Sequence, residues 1–330
     1  MPGTPPTNNA NHFLLQNDRL TVEIAVPGVL YRGTRFDWTA LITQVTLDHI
    51  HTYCTVESLK PGEGSGGIGL CNEFGIDLPI GYMDAAPGDS FPKLGVGLLK
   101  KSDAGEYSFM RPYEITQPFQ VNIDTTNDTA VFTVNPIDCR GYAVKLVKKL
   151  FLDQNRLLIE YSLENTGSQP ILTNEYCHNF LAIDRRPIGQ DYILEFPYPV
   201  QLENLGSQFT RMLPLILRKL PSSWQESLAS LLIRKRMSNL VFKSNTVGFK
   251  KPPAAPFYFR PVGFSKTDQF QWELRQHESK VGIREYSDFE PMRIAIWGTP
   301  HVISAEVFIA VELRPGENKN WTRTFEFFYL

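Results

Sequence analysis

The stretch Thr173-Asn174-Glu175-Tyr176-Cys177-His178-Asn179-Phe180 brings an imidazole, a carboxylate and two amides into one short segment. Ile171 and Leu172 before it, and Leu181 and Ile183 after it, give the segment the pattern of a buried strand. A polar group buried in a strand needs a hydrogen-bond partner or a function, because leaving one unpaired costs roughly 1–3 kcal/mol. Alternate residues of a strand share a face, so Asn174, Tyr176 and His178 point one way. Glu175, Cys177 and Asn179 point the other way, which separates Glu175 from His178 unless a bulge intervenes. A core histidine satisfied by a backbone carbonyl is an equally ordinary reading of the same residues.

Strand patterns extend on both sides of this segment. LTVEIAV (residues 20–26) alternates and stops at Pro27-Gly28, and Ala40 to Leu47 gives another strand. Between Tyr107 and Glu164 the runs YSFMRPYEI, FQVNI, TAVFTVN, YAVKLVKKLFL and LLIEYSL are separated by turn residues such as Asn127-Asp128 and Asn165-Thr166-Gly167. In the fourth run the lysines at 145 and 148–149 alternate with apolar residues, as on a strand with one wet face. After Leu240 the pattern resumes through WTRTFEFFY, with Pro315-Gly316 turning the last two strands back on each other. Many short strands at this spacing indicate antiparallel sheets in a sandwich or barrel.

One region departs from the pattern. Residues 207–239 carry helical spacing at Phe209, Leu213, Ile216 and Leu220. A capping box at Ser223-x-x-Glu226 then precedes Trp224, Leu228, Leu231 and Leu232 on one face. Arg234, Lys235 and Arg236 close the last turn, where positive charge opposes the helix dipole. The region reads as a helical hairpin inserted into an all-β chain, which packs as a lid, forms a dimer contact or lies on an anionic membrane surface. No linker-like stretch divides the chain, so residues 12–330 read as one domain after a disordered, Pro- and Asn-rich N-terminus at 1–11.

Composition narrows the function classes. A formal net charge of −2 argues against a nucleic-acid protein. Cys54, Cys71, Cys139 and Cys177 are widely spaced and form no ligand cluster, which argues against a structural zinc site and a disulfide framework. No apolar run approaches the roughly 18 residues of a membrane span, and residues 1–11 lack the regions of a signal peptide, so the expectation is cytoplasmic. Aromatic content is 12%, which suits both a sheet-rich core and a groove that stacks flat ligand faces.

Candidate site residues lie at several points. Arg32 and Arg35 in YRGTRFDW could grip an anionic or hydroxylated ligand, with ion pairing to Asp37 as the plainer alternative. The loop PGEGSGGIG (61–69) lacks the Lys-Ser/Thr of a phosphate-binding loop and reads as a flexible loop beside a pocket. Glu73 and Lys93 sit among Gly and Pro, where irregular backbone presents side chains. His49 and His51 lack a third ligand nearby and read as a surface turn.

The run ENTGSQPILTNEYCHNF (164–180) resembles the middle of the aldose 1-epimerase (galactose mutarotase) family, in which such a turn leads into a strand bearing a histidine. Leu313-Arg314-Pro315-Gly316-Glu317, followed by Trp321 to Phe327, resembles that family's closing turn and last aromatic strand. The order of β elements matches from about residue 12 to the end, apart from the helical insertion. The resemblance implies a β-supersandwich holding a monosaccharide or a derivative, with no metal and no organic cofactor. It further implies a histidine, here His178, that protonates the ring oxygen, and a glutamate that removes the anomeric proton. The family's earlier histidine has no counterpart here; Lys93 is the nearest equivalent, and Asn72-Glu73 stands where the family has a sugar-gripping arginine. For the base the resemblance leaves Glu306, read as beginning a strand after Trp297, His301 and a turn, or Glu73. Asn174, Glu175, Tyr176, Lys93, Arg32, Arg35, Trp297 and His301 are the expected ligand contacts. Two alternatives stand beside this isomerase reading. One is different acid–base chemistry, an isomerisation, cyclisation or elimination on a non-sugar substrate; the other is a non-catalytic carbohydrate-binding protein.

Overall fold

The computed structural model describes residues 11–203, 221–264 and 270–330. The first half of the expected hairpin, residues 207–220, and the expected disordered N-terminus, apart from Asn11, lie outside the described residues. In chain order the strands begin with β1 (His12–Gln16), β2 (Leu20–Ala25), β3 (Ile42–Leu47), β4 (His51–Thr52) and β5 (Leu70–Phe74). Next come β6 (Ser90–Lys93), β7 (Gly97–Lys100), β8 (Ile115–Pro118), β9 (Val121–Thr125) and β10 (Thr129–Val134). The long strands β11 (Val144–Asp153), β12 (Arg156–Asn165) and β13 (Ile171–Asn179) follow, then β14 (Tyr192–Glu195) and β15 (Gln201–Leu202). After helix α1 (Ser222–Arg236) come β16 (Leu240–Lys243), β17 (Thr246–Phe249), β18 (Phe257–Phe259) and β19 (Pro261–Val262). The chain closes with β20 (Phe270–Gln276), β21 (Val281–Ser287), β22 (Arg293–Thr299), β23 (Val302–Leu313) and β24 (Asn318–Tyr329).

Two large sheets result. One has the order β1-β2-β3-β5-β13-β23-β22-β18, with β4 off β3; the other runs β16-β17-β14-β20-β21-β24-β12-β11-β10-β9. The architecture is an all-β sandwich of antiparallel sheets. The core lies between the sheets: Val22, Leu47 and Ile309 from the first meet Phe132, Ile159, Trp272 and Phe325 from the second. Strand β11 shows the expected alternation of buried and exposed positions. In contrast, β23 is buried at nearly every position, because one face meets the core and the other lines a cleft.

The interface between sheets is not purely apolar. Arg323 on β24 is fully buried and donates to Glu175 of β13 and Glu285 of β21, each at 2.7 Å. Burial works against the Arg323 charge, but these two carboxylates hold its proton more firmly than usual. Glu175 thus lies on the core side, where Asn72 also donates to it at 2.5 Å. Lys148 corrects the wet-face reading of β11. It is fully buried, 2.5 Å from Asp37 Oδ2, and donates to Asn72 Oδ1 at 2.9 Å. A Cβ at Gly95 would come within 2.0 Å of Asp37 Oδ1, and φ there is +76°, so only glycine fits over this buried pair.

Other expectations change in detail. Residues 107–114 form no strand; Tyr107 and Tyr113 stack instead, centroids 5.5 Å apart, in a satellite core with Tyr82 and Phe91. Helix α1 begins at Ser222, with the Trp224 and Gln225 amides donating to Pro221 O, so Ser223 sits inside the first turn rather than capping it. Ala229 of this helix is buried, while Trp224, Leu231 and Leu232 are exposed.

Candidate active site

Strand β23 runs between β13 and β22, and its registers bring the key side chains together. Tyr176 pairs with Phe308 and Ala295 with Glu306, so two residues beyond the Tyr176–Phe308 pair lie His178 and Glu306. The His178 Nε2 is 3.3 Å from Glu306 Oε1, and both side chains are almost wholly buried. Glu306 stands within β23 rather than at its start, so its carboxyl is placed by regular strand geometry. Phe180 stacks on the His178 ring at 3.9 Å, and the edges of Phe36 and Trp297 approach it at 5.9 and 5.4 Å. That aromatic packing fixes the imidazole plane.

His178 and Glu306 line a cleft of about 520 Å³ together with Arg35, Arg293, Trp297 and Phe308. Further wall comes from Tyr258 and Arg260, from Asp77 and Phe109, and from Ala229, Leu232 and Arg236 of α1. Burial pushes the Glu306 carboxyl up to about 8, against the opposing influence of Arg35, a hydrogen bond from Ser304, and Arg293. Burial also drives His178 well below its ordinary value of 6.5, helped by the positive Arg35. Near neutral pH the pair is therefore a carboxylic acid beside a neutral imidazole. His178 Nδ1 has no hydrogen-bond partner among the described residues.

Behind Arg35 lies a second buried cluster. Glu73 accepts from Arg35 Nε at 2.9 Å, from the Tyr176 hydroxyl at 2.7 Å and from Lys93 Nζ at 3.3 Å. Glu73 lies on β5 and Lys93 at the end of β6, not on irregular backbone, and neither lines the cleft. Burial lowers the Lys93 pKa against the pull of Glu73. Burial also opposes the Arg35 charge, but Tyr176 and Glu73 raise its pKa on balance. The glycine-rich loop is organised around Glu57, which accepts from the amides of Ser65 and Gly67 at 2.6 and 3.1 Å, while Ser65 Oγ accepts from Arg35 at 2.8 Å.

The remaining sequence candidates fall elsewhere. Tyr176 is fully buried beneath the cleft wall, its ring stacked on Phe308 at 4.2 Å. Asn174 donates to Asp77 at 3.1 Å but does not line the cleft. Glu175 is on the opposite face of β13, in the Arg323 cluster. Arg32 is exposed and contacts Val29 O, and Arg35 pairs with Glu73 rather than Asp37. His301 lies in the turn after β22, its ring nitrogens 2.9 Å from Thr299 Oγ1 and 3.1 Å from Val56 O. His51 pairs with Asp184 at 2.9 Å. Sequence reasoning missed Arg293, although alternation puts it on the face of β22 that carries Trp297. Tyr258 and Arg260 show the same two-residue spacing. Among the described residues there is no group of three or more metal-ligating side chains, and no helix is long and apolar enough to cross a membrane.

No protein-family model matches the chain, and no curated protein matches it in sequence. Solved structures are similar over nearly its whole length. The GalM/aldose epimerase homologue from C. elegans has a TM-score of 0.57 at 10% identity, covering 97% of this chain and 99% of that one. A galactose mutarotase-like protein from Lactobacillus casei has a TM-score of 0.53 at 13% identity, covering 96% and 100%. A protein from Synechocystis sp. PCC 6803 has a TM-score of 0.56 at 12% identity, covering 100% and 98%. At such identities the likeness is one of fold, and the fold is that of the aldose 1-epimerase and galactose mutarotase-like proteins.

Proposed function

We propose that the protein is an acid–base isomerase of a small sugar, opening the ring at the anomeric carbon so that it recloses as the other anomer. The observation that carries this reading is the His178–Glu306 contact on the cleft wall, at 3.3 Å between Nε2 and Oε1. Ring opening moves two protons: one leaves the anomeric hydroxyl and one reaches the ring oxygen. A pair that holds a single proton can do both, one member giving and the other taking.

In this reading the proton rests on Glu306, because burial disfavours the carboxylate and the imidazolium alike. The Glu306 carboxylic acid then protonates the ring oxygen while the His178 imidazole takes the anomeric proton. Reclosure runs both transfers backwards and restores the pair. Shifting the proton to His178 beforehand gives the imidazolium and carboxylate roles that the family resemblance implies. Both arrangements hold the same number of protons, so they belong to one titration of the pair. Trp297 offers a flat apolar surface to a sugar face beside the imidazole. Glu73 acts through Arg35, holding its guanidinium on the cleft wall.

Exchange NMR with a panel of aldoses tests the proposal. Anomer exchange faster than the uncatalysed rate is expected for at least one sugar, and His178→Ala should slow it by about 10²–10⁴-fold while circular dichroism stays unchanged. A wild-type rate in that variant would remove His178 from the mechanism.

A further inference from the structure

Four arginines line the cleft, Arg35, Arg236, Arg260 and Arg293, against three carboxyl groups, Glu57, Asp77 and Glu306. A neutral sugar needs no such excess of cations. The four differ in how they are held. Arg35 is locked by Glu73, whose side chain is 0% exposed. Arg293 pairs at 2.9 Å with Asp77, which is 56% exposed, and Arg260 at 3.4 Å with Glu203, which is 36% exposed. Ion pairs with such wet partners are weak and exchange readily for a better anion. Arg236 is exposed and carries no ion pair among the described residues.

The geometry also orders the guanidiniums. Arg293 lies over the Phe308 ring at 4.0 Å, and Arg260 lies 5.9 Å from the Tyr258 ring while donating to its hydroxyl at 2.9 Å. The close ring contact of Arg293 and the hydrogen bond of Arg260 restrict the two guanidiniums, as bidentate recognition of an oxyanion requires. Arg293 Nε is buried without a hydrogen-bond partner among the described residues, a donor already stripped of water. Helix α1 presents Ala229, Leu232 and Arg236 to the same cleft, at spacings of three and four residues that put them on one face.

We propose that the substrate is a sugar bearing an oxyanion, a phosphate ester or a carboxylate, held by Arg260 and Arg293, with Arg236 of α1 closing the rim over it. The sugar part rests on the function proposed above; the anion part rests on these arginines alone. The test is isothermal titration calorimetry of the full chain with a neutral aldohexose, the corresponding hexose phosphate and the corresponding hexuronate. Each sugar is titrated into wild type, Arg236→Ala and Arg260→Lys, and into His178→Ala so that binding is read without turnover. At least one anionic sugar should bind about tenfold more tightly than the neutral one, as one charge-assisted bidentate contact supplies. That advantage should shrink in Arg236→Ala and Arg260→Lys and persist in His178→Ala. Preference for the phosphate or for the uronate identifies which anion the cleft takes. Equal affinity for neutral and charged sugars, absence of any binding, or an advantage untouched in both arginine variants would overturn the proposal. Selective binding without anomer exchange would retain the anion subsite and remove the isomerase reading; exchange of neutral and charged sugars alike would do the reverse.

Discussion

Replacing Lys148 with methionine tests whether the buried polar network holds the sandwich and the cleft together. The ammonium lies 2.5 Å from Asp37 Oδ2 and donates to Asn72 Oδ1 at 2.9 Å, and neither Lys148 nor Asp37 is exposed to water. At an effective dielectric constant of about 20, two unit charges at that separation attract by about 7 kcal/mol. Removing the ammonium from water on folding takes back several kcal/mol of this. Methionine retains most of the side-chain volume, so little cavity forms and the loss is chiefly electrostatic. Asp37 Oδ1 keeps its bonds from the Thr39 amide and hydroxyl, both 2.7 Å, but the carboxylate loses the cation it touches. The expected loss is about 3–5 kcal/mol, the range for removing one partner of a buried pair. In a melt that corresponds to a fall of order 10 °C. Urea denaturation followed by circular dichroism, run as a double-mutant cycle with Asp37→Asn, gives the coupling directly. The double variant should be less destabilised than the sum of the singles. A loss below about 1 kcal/mol, or strict additivity, would refute the idea that Lys148 and Asp37 work as a pair.

Three further outcomes follow from the same geometry. Glu73→Gln leaves Arg35 and Lys93 buried side by side without their shared carboxylate and should cost about 3–5 kcal/mol in urea melts, with weaker substrate binding; unchanged stability would show that Arg35 is held by other means. Exchange rates measured between pH 6 and 10 should fall about tenfold per unit above about 8, as Glu306 loses the proton it keeps below that value, whereas a rate that rises through pH 8 would exclude it as the acid. His301→Ala loosens the turn between β22 and β23 and should cost about 1 kcal/mol of stability while turnover stays within about twofold; lost turnover at full stability would place His301 in the chemistry.

The residues in regular strands were the legible ones. Alternation in the segment from Thr173 to Phe180 separates His178 from Glu175, and the structure has them on opposite faces, one at the cleft and one on Arg323. What alternation cannot give is the partner strand: that Glu306 stands beside His178 depends on the register of β23, more than a hundred residues away. Lys148 misled for a related reason. A lysine in an alternating run reads as solvated unless a buried carboxylate awaits it, and Asp37 comes from a distant loop. The four arginines of the cleft come from four separate parts of the chain, the loop before β3, helix α1, the junction of β18 and β19, and β22, so no local pattern announces them as a group. The course of residues 107–114 was hidden because their aromatics serve a satellite core rather than a sheet.

The Arg323 contacts carry a consequence for how the molecule comes apart. Glu175 belongs to one sheet, and Arg323 and Glu285 to the other, with Trp272 also donating to Glu285 at 2.7 Å. Apolar layers can separate by degrees, each small opening exposing a little more surface. A guanidinium shared between layers permits no such gradual parting, because the first slight separation strands a charge before water can reach it. Partly opened forms are thereby disfavoured, and the two sheets are bound into one cooperative unit whose amides at the centre of β13 and β24 exchange with solvent only through global unfolding.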